Sequence, residues 1–316
     1  MRWERQDEAI ADSMGASSLR PEGKTWGNSW TTKAGEMYIF SGFNADKKIH
    51  NDFWLFNSTT KAWSMLSNYS YTRIVPQQGK KKGKEVLVGV GGAYNCTPEG
   101  GAPPSPAPCV VHPGARENAY TMVGSDGRLW LFGGSGYAFD SSKKGGMNDL
   151  WSYNPSTGLW RFEGGPAVSW VKPNATGADQ VFAGGGGGHH GTLGVGSKSN
   201  RPGADHAGYF WNDEVSEKLW LMGGENGNTD KTGLGVSSDL WSLTTGSKLW
   251  TWESGAAVPD QPGEWSDAVR ARPAARYAGQ TWAVAERNEL WLFGGWGMDA
   301  SGARGYLSDV WSYTVA

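Results

Sequence analysis

The chain has 316 residues, with 29 basic and 31 acidic side chains and a formal net charge of −2. This balance excludes the strongly basic footprint of a nucleic-acid-binding domain and a polyacidic tail. No apolar stretch is long enough for a membrane-spanning helix, so no membrane span is predicted. The length is sufficient to bury a large core, and the 48 glycines indicate many turns and close strand approaches.

A six-residue apolar motif that ends in glycine recurs four times along the chain. It reads MYIFSG at 37–42, LWLFGG at 129–134, LWLMGG at 219–224 and LWLFGG at 290–295. Each copy is preceded by a proline with a polar residue three positions later, and is followed by an Asp-x-Trp triplet. The prolines are Pro21, Pro113, Pro202 and Pro273, and the triplets begin at Asp52, Asp149, Asp239 and Asp309. A constant unit separated by joins of unequal length predicts a repeat protein.

Each unit predicts four short strands, because apolar runs of four to six residues alternate with turn-forming residues. In chain order the repeat cores span about 21–66, 113–165, 202–255 and 273–316. Tight turns are predicted at 33–35, 125–127, 154–158 and 244–247, and longer polar loops at 137–147 and 226–238. Four-stranded antiparallel sheets at this period predict an all-β propeller, with residues 1–316 as a single domain.

The repeat columns resemble the kelch repeat of β-propellers, in the superfamily of galactose-oxidase-like propellers. The resemblance rests on the glycine pairs at 133–134, 223–224 and 294–295, with Ser41-Gly42 in the first unit. It rests also on pairs of tryptophans nine residues apart, which are Trp54 and Trp63, Trp151 and Trp160, and Trp241 and Trp250. It covers about half of the chain and implies a fold of four-stranded blades rather than an activity.

Two segments outside the four units bear on how the propeller is completed. Arg2-Trp3-Glu4 matches Arg161-Phe162-Glu163, which predicts that residues 1–5 supply the outer strand that the fourth unit lacks and close the ring. The alternative is a segment cut from a longer repeat array. The run from Glu85 to Gly92 imitates a second strand with its glycines, which leaves a fifth, degenerate blade as an alternative to four, although no Asp-x-Trp triplet follows it.

The loops and joins between the repeat units vary in length, and this variation predicts a binding face. In an antiparallel four-stranded sheet, the loop between the second and third strands and the join to the next unit leave on the same side, and function is expected on such loops. Exposed aromatic and charged loop residues bind sugars or anchor protein partners. The alternative is that the rings cover a neighbouring unit and the charges are solvated surface. The candidate ligand-binding residues are Trp170, Trp265, Trp296, Tyr137, Asp299 and Arg304.

The predicted function is a non-catalytic scaffold that binds a protein partner through the long loops, as a monomer. The alternative is an extracellular propeller that binds carbohydrate. A remote alternative is an enzyme similar to galactose oxidase, a resemblance that implies a copper site with a crosslinked Cys-Tyr pair. Neither Cys96 nor Cys109 lies in a matching context, and His189-His190 lies in a glycine tract that argues against a preorganised metal site. No catalytic residue, metal or cofactor is therefore predicted.

The cysteines and glycosylation sequons bear on the compartment. Cys96 and Cys109 enclose a proline-rich loop and predict a local disulfide, with two free thiols as the alternative. Four Asn-x-Ser/Thr sequons begin at Asn57, Asn68, Asn95 and Asn174. These features favour an extracellular or cell-surface location. Because residues 1–30 contain no apolar signal core, a cytoplasmic location stays open.

Overall fold

The computed structural model describes residues 20–69, 71–75, 84–88, 92–93, 111–138, 144–166, 188–213, 218–226, 235–265 and 271–315. Regular structure in these ranges is almost entirely β-strand, with one 3-10 helix at Ala285–Arg287. Four antiparallel sheets, numbered I to IV in chain order, carry the four repeat units. The predicted all-β class is therefore confirmed.

The first unit forms sheet I, with strand order β2-β3-β5-β6, and β1 pairs with β4 beside it. Its strands are β1 (Lys24–Thr25), β2 (Asn28–Thr31), β3 (Glu36–Phe40), β4 (Phe43–Asn44), β5 (Asp52–Asn57) and β6 (Ala62–Asn68). The following join contains a hairpin of β7 (Tyr71–Val75) and β8 (Lys84–Val88). Strand β8 lies in the segment predicted as a degenerate blade, and within the described ranges it pairs with β7 alone.

The second unit forms sheet II, with order β10-β11-β14-β15, and β12 pairs with β9 and β13. Its strands are β9 (Arg116–Glu117), β10 (Tyr120–Val123), β11 (Leu129–Phe132), β12 (Ser135–Tyr137), β13 (Lys144–Gly146), β14 (Leu150–Asn154) and β15 (Leu159–Gly164). In the third unit, which forms sheet III, β18 pairs with β16, β17 and β19, and β19 pairs with β20. These strands are β16 (Asp205–His206), β17 (Tyr209–Asp213), β18 (Lys218–Asn226), β19 (Gly235–Thr244) and β20 (Leu249–Ser254).

The fourth unit forms sheet IV, in which β23 pairs with β21, β22 and β24. Its strands are β21 (Arg276–Tyr277), β22 (Gln280–Val284), β23 (Glu289–Met298) and β24 (Arg304–Thr314). As far as the structure describes the chain, sheet IV ends at β24, without the outer strand that β6, β15 and β20 supply to the other sheets. Residues 1–5, predicted to fill this place, lie outside the described ranges, as do Cys96 and Cys109.

The polar loop predicted from residue 226 to residue 238 is wrong in extent. Strand β18 continues to Asn226 and β19 begins at Gly235, so the two strands pair beyond the glycines. A register shift between Met222 and Gly224 makes this possible, because Gly223 and Gly224 take φ angles of 65° and 116°. Glycine reaches these angles without the Cβ clash that other residues meet, so the bulge turns the strand and pairing resumes.

The four sheets stack in chain order, and each neighbouring pair shares one hydrophobic core. We call the face of a sheet that packs on the next sheet its forward face and the opposite face its rear face. The forward face of sheet I (Trp30, Tyr38, Phe40, Phe53) packs on the rear face of sheet II (Leu129, Leu131, Trp151, Tyr153). The forward face of sheet II (Met122, Trp130, Phe132, Leu150) packs on the rear face of sheet III (Leu219, Leu221, Trp241, Leu243). The forward face of sheet III (Trp211, Trp220, Met222, Leu240) packs on the rear face of sheet IV (Leu290, Leu292, Trp311, Tyr313).

A buried ion pair explains the Pro-x-x-polar and Asp-x-Trp motifs. Arg116 binds Asp149 through two parallel contacts, Nη1 to Oδ1 at 2.6 Å and Nη2 to Oδ2 at 2.8 Å, and both side chains are fully buried. Arg276 and Asp309 repeat this geometry in the fourth unit. The indole N–H of the triplet tryptophan donates to the same carboxylate at 2.7 Å, as Trp151 does to Asp149. In the second and fourth units the two motifs are therefore joined by one charge-assisted network.

The first and third units vary this pair. Lys24 contacts Asp52 through one nitrogen, with Nζ 2.8 Å from each of the two carboxylate oxygens. In the third unit an aspartate, Asp205, stands at the basic position, and His190 from the preceding join contacts Asp239 instead, with Nε2 2.9 Å from Oδ2. A partner for the triplet aspartate is thus kept in all four units, although its source changes.

Candidate binding surface

The long loops lie at one end of the sheets. Asn28 at the start of β2 pairs with Phe40 at the end of β3, and Gln280 pairs with Phe293 in the same way. The strands β2, β10, β17 and β22, which we call the inner strands, therefore begin where the second strands reach the glycine pair, and the chain passes from the second to the third strands at that end. We call this the loop end; the tight turns lie at the opposite end.

A hollow of about 440 Å³ lies among the inner strands at the loop end. It is bounded by the starts of β2, β10 and β17 and by the turn before β22. The side-chain amide of Asn28 stabilises the wall of the hollow. It donates hydrogen bonds to the carbonyls of Phe40 and Arg116 and accepts one from the N–H of Ala119. No carboxylate, imidazole, thiol or basic side chain occurs among the described residues that line it.

The turn before each inner strand carries a non-glycine residue with positive φ. These residues are Trp26, Asn118, Ala207 and Ala278, with φ between 52° and 58°. The N–H of Asn118 donates to the carbonyl of Trp26, and that of Ala278 to the carbonyl of Ala207, so neighbouring turns are tied together. Trp26 is 58% exposed at the edge of the hollow. It was not among the predicted ligand-binding residues, although it lies outside the tryptophan columns of the repeat.

An aromatic and basic cluster lies on the loop end of sheet IV. We call Tyr277, Trp296, Arg304 and Tyr306 the aromatic–arginine patch. The rings of Tyr277 and Trp296 have centroids 5.5 Å apart, and the Arg304 guanidinium lies 5.8 Å from the Trp296 ring. Tyr306 pairs with Trp296 across β23 and β24 and is 93% exposed. The structure thus brings together two sequence candidates, Trp296 and Arg304, and adds two tyrosines that the sequence analysis missed.

Charges of both signs surround the patch. Arg304 Nη2 lies 2.7 Å from Asp260 Oδ1, and both side chains are partly exposed to solvent. Glu225 lies 3.5 Å from His206, and hydrogen bonding from His206 lowers the pKa of this carboxyl in spite of partial burial. Arg304 contributes to the same lowering. The patch therefore presents a cation and nearby carboxylates next to one exposed ring, Tyr306, and two partly buried rings.

Asp299 stabilises its own turn between β23 and β24. Its Oδ1 accepts hydrogen bonds from the backbone N–H groups of Ser301 and Ala303 at 2.8 and 2.9 Å, and from the Ser301 hydroxyl. The hydrogen bond from the Ser301 hydroxyl is the leading cause that lowers the pKa of Asp299. The carboxylate thus shapes the loop beside the patch.

The remaining candidates lie elsewhere. Trp265 contacts Trp311 on the rear face of sheet IV, with ring centroids 4.7 Å apart, and keeps part of its ring exposed. Tyr137 is partly buried in a small cluster with Ile49 and Ala115, and burial raises its pKa. Trp170 lies outside the described ranges. The structure therefore does not place Trp265 and Tyr137 in the patch.

Trp265 belongs to a repeat column that the sequence analysis missed. Antiparallel bridges pair Ala93 with His112, His189 with Arg201, and Glu264 with Arg272, in each case one residue before the unit's proline. The residue after each bridge partner is then Tyr94, His190 or Trp265. His190 covers Trp241 at 5.0 Å just as Trp265 covers Trp311. The signal was available in the sequence, because a glycine stands two residues before each of these rings.

Neither a metal centre nor a membrane-spanning helix is found in the part of the chain that the structure describes. No group of three or more His, Cys, Asp or Glu side chains is close enough to hold an ion there. His189 pairs through its backbone with Arg201, while His190 contacts Asp239, so the two imidazoles have separate surroundings. None of the described helical residues forms a segment with the length and apolarity needed to cross a membrane.

Comparisons with known proteins give a weak structural likeness. No protein-family model matches the chain, and no curated protein matches it. A solved structure titled "Structure of YjhT" aligns with this chain at 13% sequence identity and a TM-score of 0.43, and the alignment covers 92% of this chain and 68% of the chain in that structure. The chain is thus an all-β protein of several four-stranded antiparallel sheets with distant similarity to that structure.

Proposed function

We propose that the four sheets are blades of a kelch-type β-propeller and that the protein is a non-catalytic scaffold. It binds a protein partner at the loop end, through the aromatic–arginine patch. The glycine pairs, the tryptophan columns and the repeated packing of forward on rear faces support the blade assignment.

The exposure of Tyr306 beside Trp296 and Arg304 carries the functional proposal. Tyrosine, tryptophan and arginine are the residue types that dominate binding energy at protein interfaces. A nearly fully exposed tyrosine that pairs across the strands with the tryptophan of a cation–π pair contributes little to folding, so its chemistry is available to a partner. The surrounding Asp260 and Glu225 supply the charged rim that orients a protein partner and accelerates its association.

Affinity capture followed by reconstitution tests this proposal. A protein captured by the full chain would be purified, and its dissociation constant measured by calorimetry against wild type, Tyr306→Ala and Arg304→Ala. Each substitution should weaken binding at least about tenfold, the loss typical of an interface hot spot. Leu159→Ala is the matched control, because Leu159 is an exposed apolar residue at the start of β15, at the opposite end of sheet II. Equal affinity of all four proteins for the partner would refute the assignment of the patch.

The hollow supports carbohydrate binding as a second candidate function. Trp26 exposes its ring at the edge, Phe210 is also exposed there, and Ser29 and Asn118 offer polar groups beside them. Sugars bind where an aromatic face lies next to hydrogen-bonding groups. A glycan-array screen of wild type and Trp26→Ala tests this candidate: selective binding that Trp26→Ala abolishes would support it, and an array without selective signal would refute it.

A further inference from the structure

Three aromatic side chains of sheet IV form a row across adjacent strands. Tyr277 in β21 lies opposite Trp296 in β23, and Trp296 lies opposite Tyr306 in β24. Directly opposed residues of antiparallel strands project to the same side of a sheet, so we call these three residues the aromatic row. The row is not a repeat column, since the corresponding positions are Glu117, Ser135 and Gly146 in sheet II and His206, Glu225 and Val236 in sheet III.

The aromatic row is held in place at its centre and open at one end. The rings of Tyr277 and Trp296 have centroids 5.5 Å apart, and the Arg304 guanidinium, itself bound by Asp260, lies 5.8 Å from the Trp296 ring. Tyr306 is 93% exposed, whereas Val236 at the corresponding position of sheet III is 2% exposed. Rings that are positioned in advance lose little side-chain freedom when a ligand binds. The row is therefore a preformed aromatic ridge.

The spacing of the row matches one turn of a polyproline II helix. Neighbouring strands lie about 4.8 Å apart, so the backbone positions of Tyr277 and Tyr306 are separated by about 9.6 Å. A polyproline II helix presents the same face every three residues, after about 9.3 Å. The two-residue repeat of an extended strand, about 6.8 Å, and two turns of an α-helix, about 10.8 Å, match less well. The two prolines of a Pro-x-x-Pro segment that crosses the strands can thus contact the two tyrosines, with Trp296 between them.

The polar groups of the row suit the backbone of such a segment. A polyproline II helix makes no internal hydrogen bonds, so its carbonyls accept hydrogen bonds from the surface that binds it. Within the described ranges, neither the hydroxyls of Tyr277 and Tyr306 nor the indole N–H of Trp296 donates a hydrogen bond. Surfaces that recognise proline-rich segments are lined by aromatic residues of these types.

Negative charge lies at the Tyr277 end of the row. Burial first, and then the charge of Glu225, raise the pKa of Tyr277, so this carboxylate acts on the ring at that end. Hydrogen bonding from His206 lowers the pKa of Glu225, which is therefore ionised at neutral pH. Arg304, in contrast, is already paired with Asp260. A partner gains most from a basic residue placed next to Tyr277.

We propose that the aromatic row binds a proline-rich segment of a protein partner in the polyproline II conformation, with a basic residue of that segment next to Glu225. The inference rests on the protein-binding function proposed for the aromatic–arginine patch and names the class of partner. A segment of this kind is already extended in solution, so little conformational entropy is lost when it binds.

Fluorescence anisotropy of labelled peptides with the full chain tests the proposal. The probe is an arginine followed by three Pro-Pro-Ala repeats, and its control has alanine in place of every proline. A second control is the peptide of residues 98–108 of this chain, which is rich in proline but has no lysine or arginine. The probe should bind saturably, and each control should bind at least about tenfold more weakly. Absence of probe binding, or equal binding of either control, would overturn the proposal.

Variants of the chain locate the bound peptide. Tyr306→Ala should weaken binding of the probe at least about tenfold, whereas Tyr306→Phe keeps the ring and should weaken it less. Glu225→Gln should lower the preference for the probe over the same peptide headed by glutamate by about two- to fivefold, the contribution of an exposed ion pair. Leu159→Ala is the matched control, and it should leave every affinity unchanged. Undiminished binding of the probe to Tyr306→Ala would refute the placement on the row.

The protein partner captured by the full chain separates this inference from the function on which it rests. If no peptide binds while Tyr306→Ala still weakens binding of the captured partner, the proline-rich class is wrong and the protein-binding patch stands. If the captured partner binds Tyr306→Ala as tightly as wild type, both proposals fall. Selective glycan binding that Tyr306→Ala abolishes would also overturn the inference, because the row would then hold sugar rings.

Discussion

Replacing Arg116 tests whether the buried ion pair organises the second unit. The guanidinium donates to both oxygens of Asp149 and to the carbonyls of Gly114 and Gly133, at 2.6 to 3.0 Å. Arg116→Met would leave the carboxylate in the interior without its cation, and removing one partner of a buried pair costs about 3–5 kcal/mol. We therefore expect Arg116→Met to lower the free energy of unfolding by about 4 kcal/mol.

Arg116→Lys separates charge from geometry. The ammonium keeps the positive charge but cannot make two parallel contacts with Asp149 and also reach both carbonyls. Each lost hydrogen bond costs about 1 kcal/mol, so we expect an intermediate loss of about 2 kcal/mol. The first unit already uses Lys24 at this position, which shows that a contact through a single nitrogen is compatible with the fold.

Urea unfolding, followed by tryptophan fluorescence and circular dichroism, measures these losses. Arg287→Met is the control, because the Arg287–Glu289 pair is at the surface and its removal should cost less than about 1 kcal/mol. A loss below about 1 kcal/mol for Arg116→Met would refute the reasoning, since the pair would then not be effectively desolvated. Equal losses for Arg116→Met and Arg116→Lys would refute the contribution of the retained charge.

Three further predictions concern titration and backbone space. Burial alone would raise the pKa of Asp309, but hydrogen bonds, first that from Arg276, outweigh burial and lower this pKa. The carboxylate therefore stabilises the fold above about pH 4, and the contribution is lost as pH falls through the lowered pKa. In acid titrations Arg276→Met should lose stability less steeply than wild type, and identical slopes would contradict this. Burial lowers the pKa of His112 and outweighs a backbone hydrogen bond that would raise it. The stability of the fold should therefore decline as pH falls below about 6.5. Melting temperatures measured between pH 7.5 and 5 should decline less in His112→Gln than in wild type. Gly134→Ala should lower the free energy of unfolding in urea by about 3 kcal/mol or more, because φ is +91° and the added Cβ would lie 2.8 Å from a carbonyl oxygen. Gly127→Ala is the control: φ is +76° but the space is open, so the loss should be about 1 kcal/mol.

Much of the strand pattern could be predicted from the sequence, because the apolar alternation and the tight turns are local signals. The turn at 125–127 lies between β10 and β11 as predicted, and the turn at 154–158 lies between β14 and β15. The extension of β18 and β19 past the glycines could not be predicted, since polar and glycine residues there resemble a loop. Their pairing depends on a bulge, which is a property of two strands together.

The candidate surface shows the same division between local and non-local information. Arg304 and Trp296 were recognisable as charged and aromatic residues outside the repeat columns, but their contact depends on the register of β23 and β24. Tyr306 lies in a strand whose alternation does not say which face is covered. His190 could not be paired with Asp239 from the sequence, because 49 residues separate them and the first two units use a lysine or an arginine instead.

The stack of sheets also determines where the molecule opens first. Each sheet contacts only its neighbours through the shared cores, so local opening can begin at an end of the stack without disrupting the middle. Among the residues that the structure describes, sheet IV has one covered face and no strand paired beyond β24. Amide hydrogens of β22 and β24 should therefore exchange with solvent faster than those of β10 and β14 in sheet II, which is covered on both faces. Any molecule that caps the forward face of sheet IV would be detected first as slower exchange in those two strands.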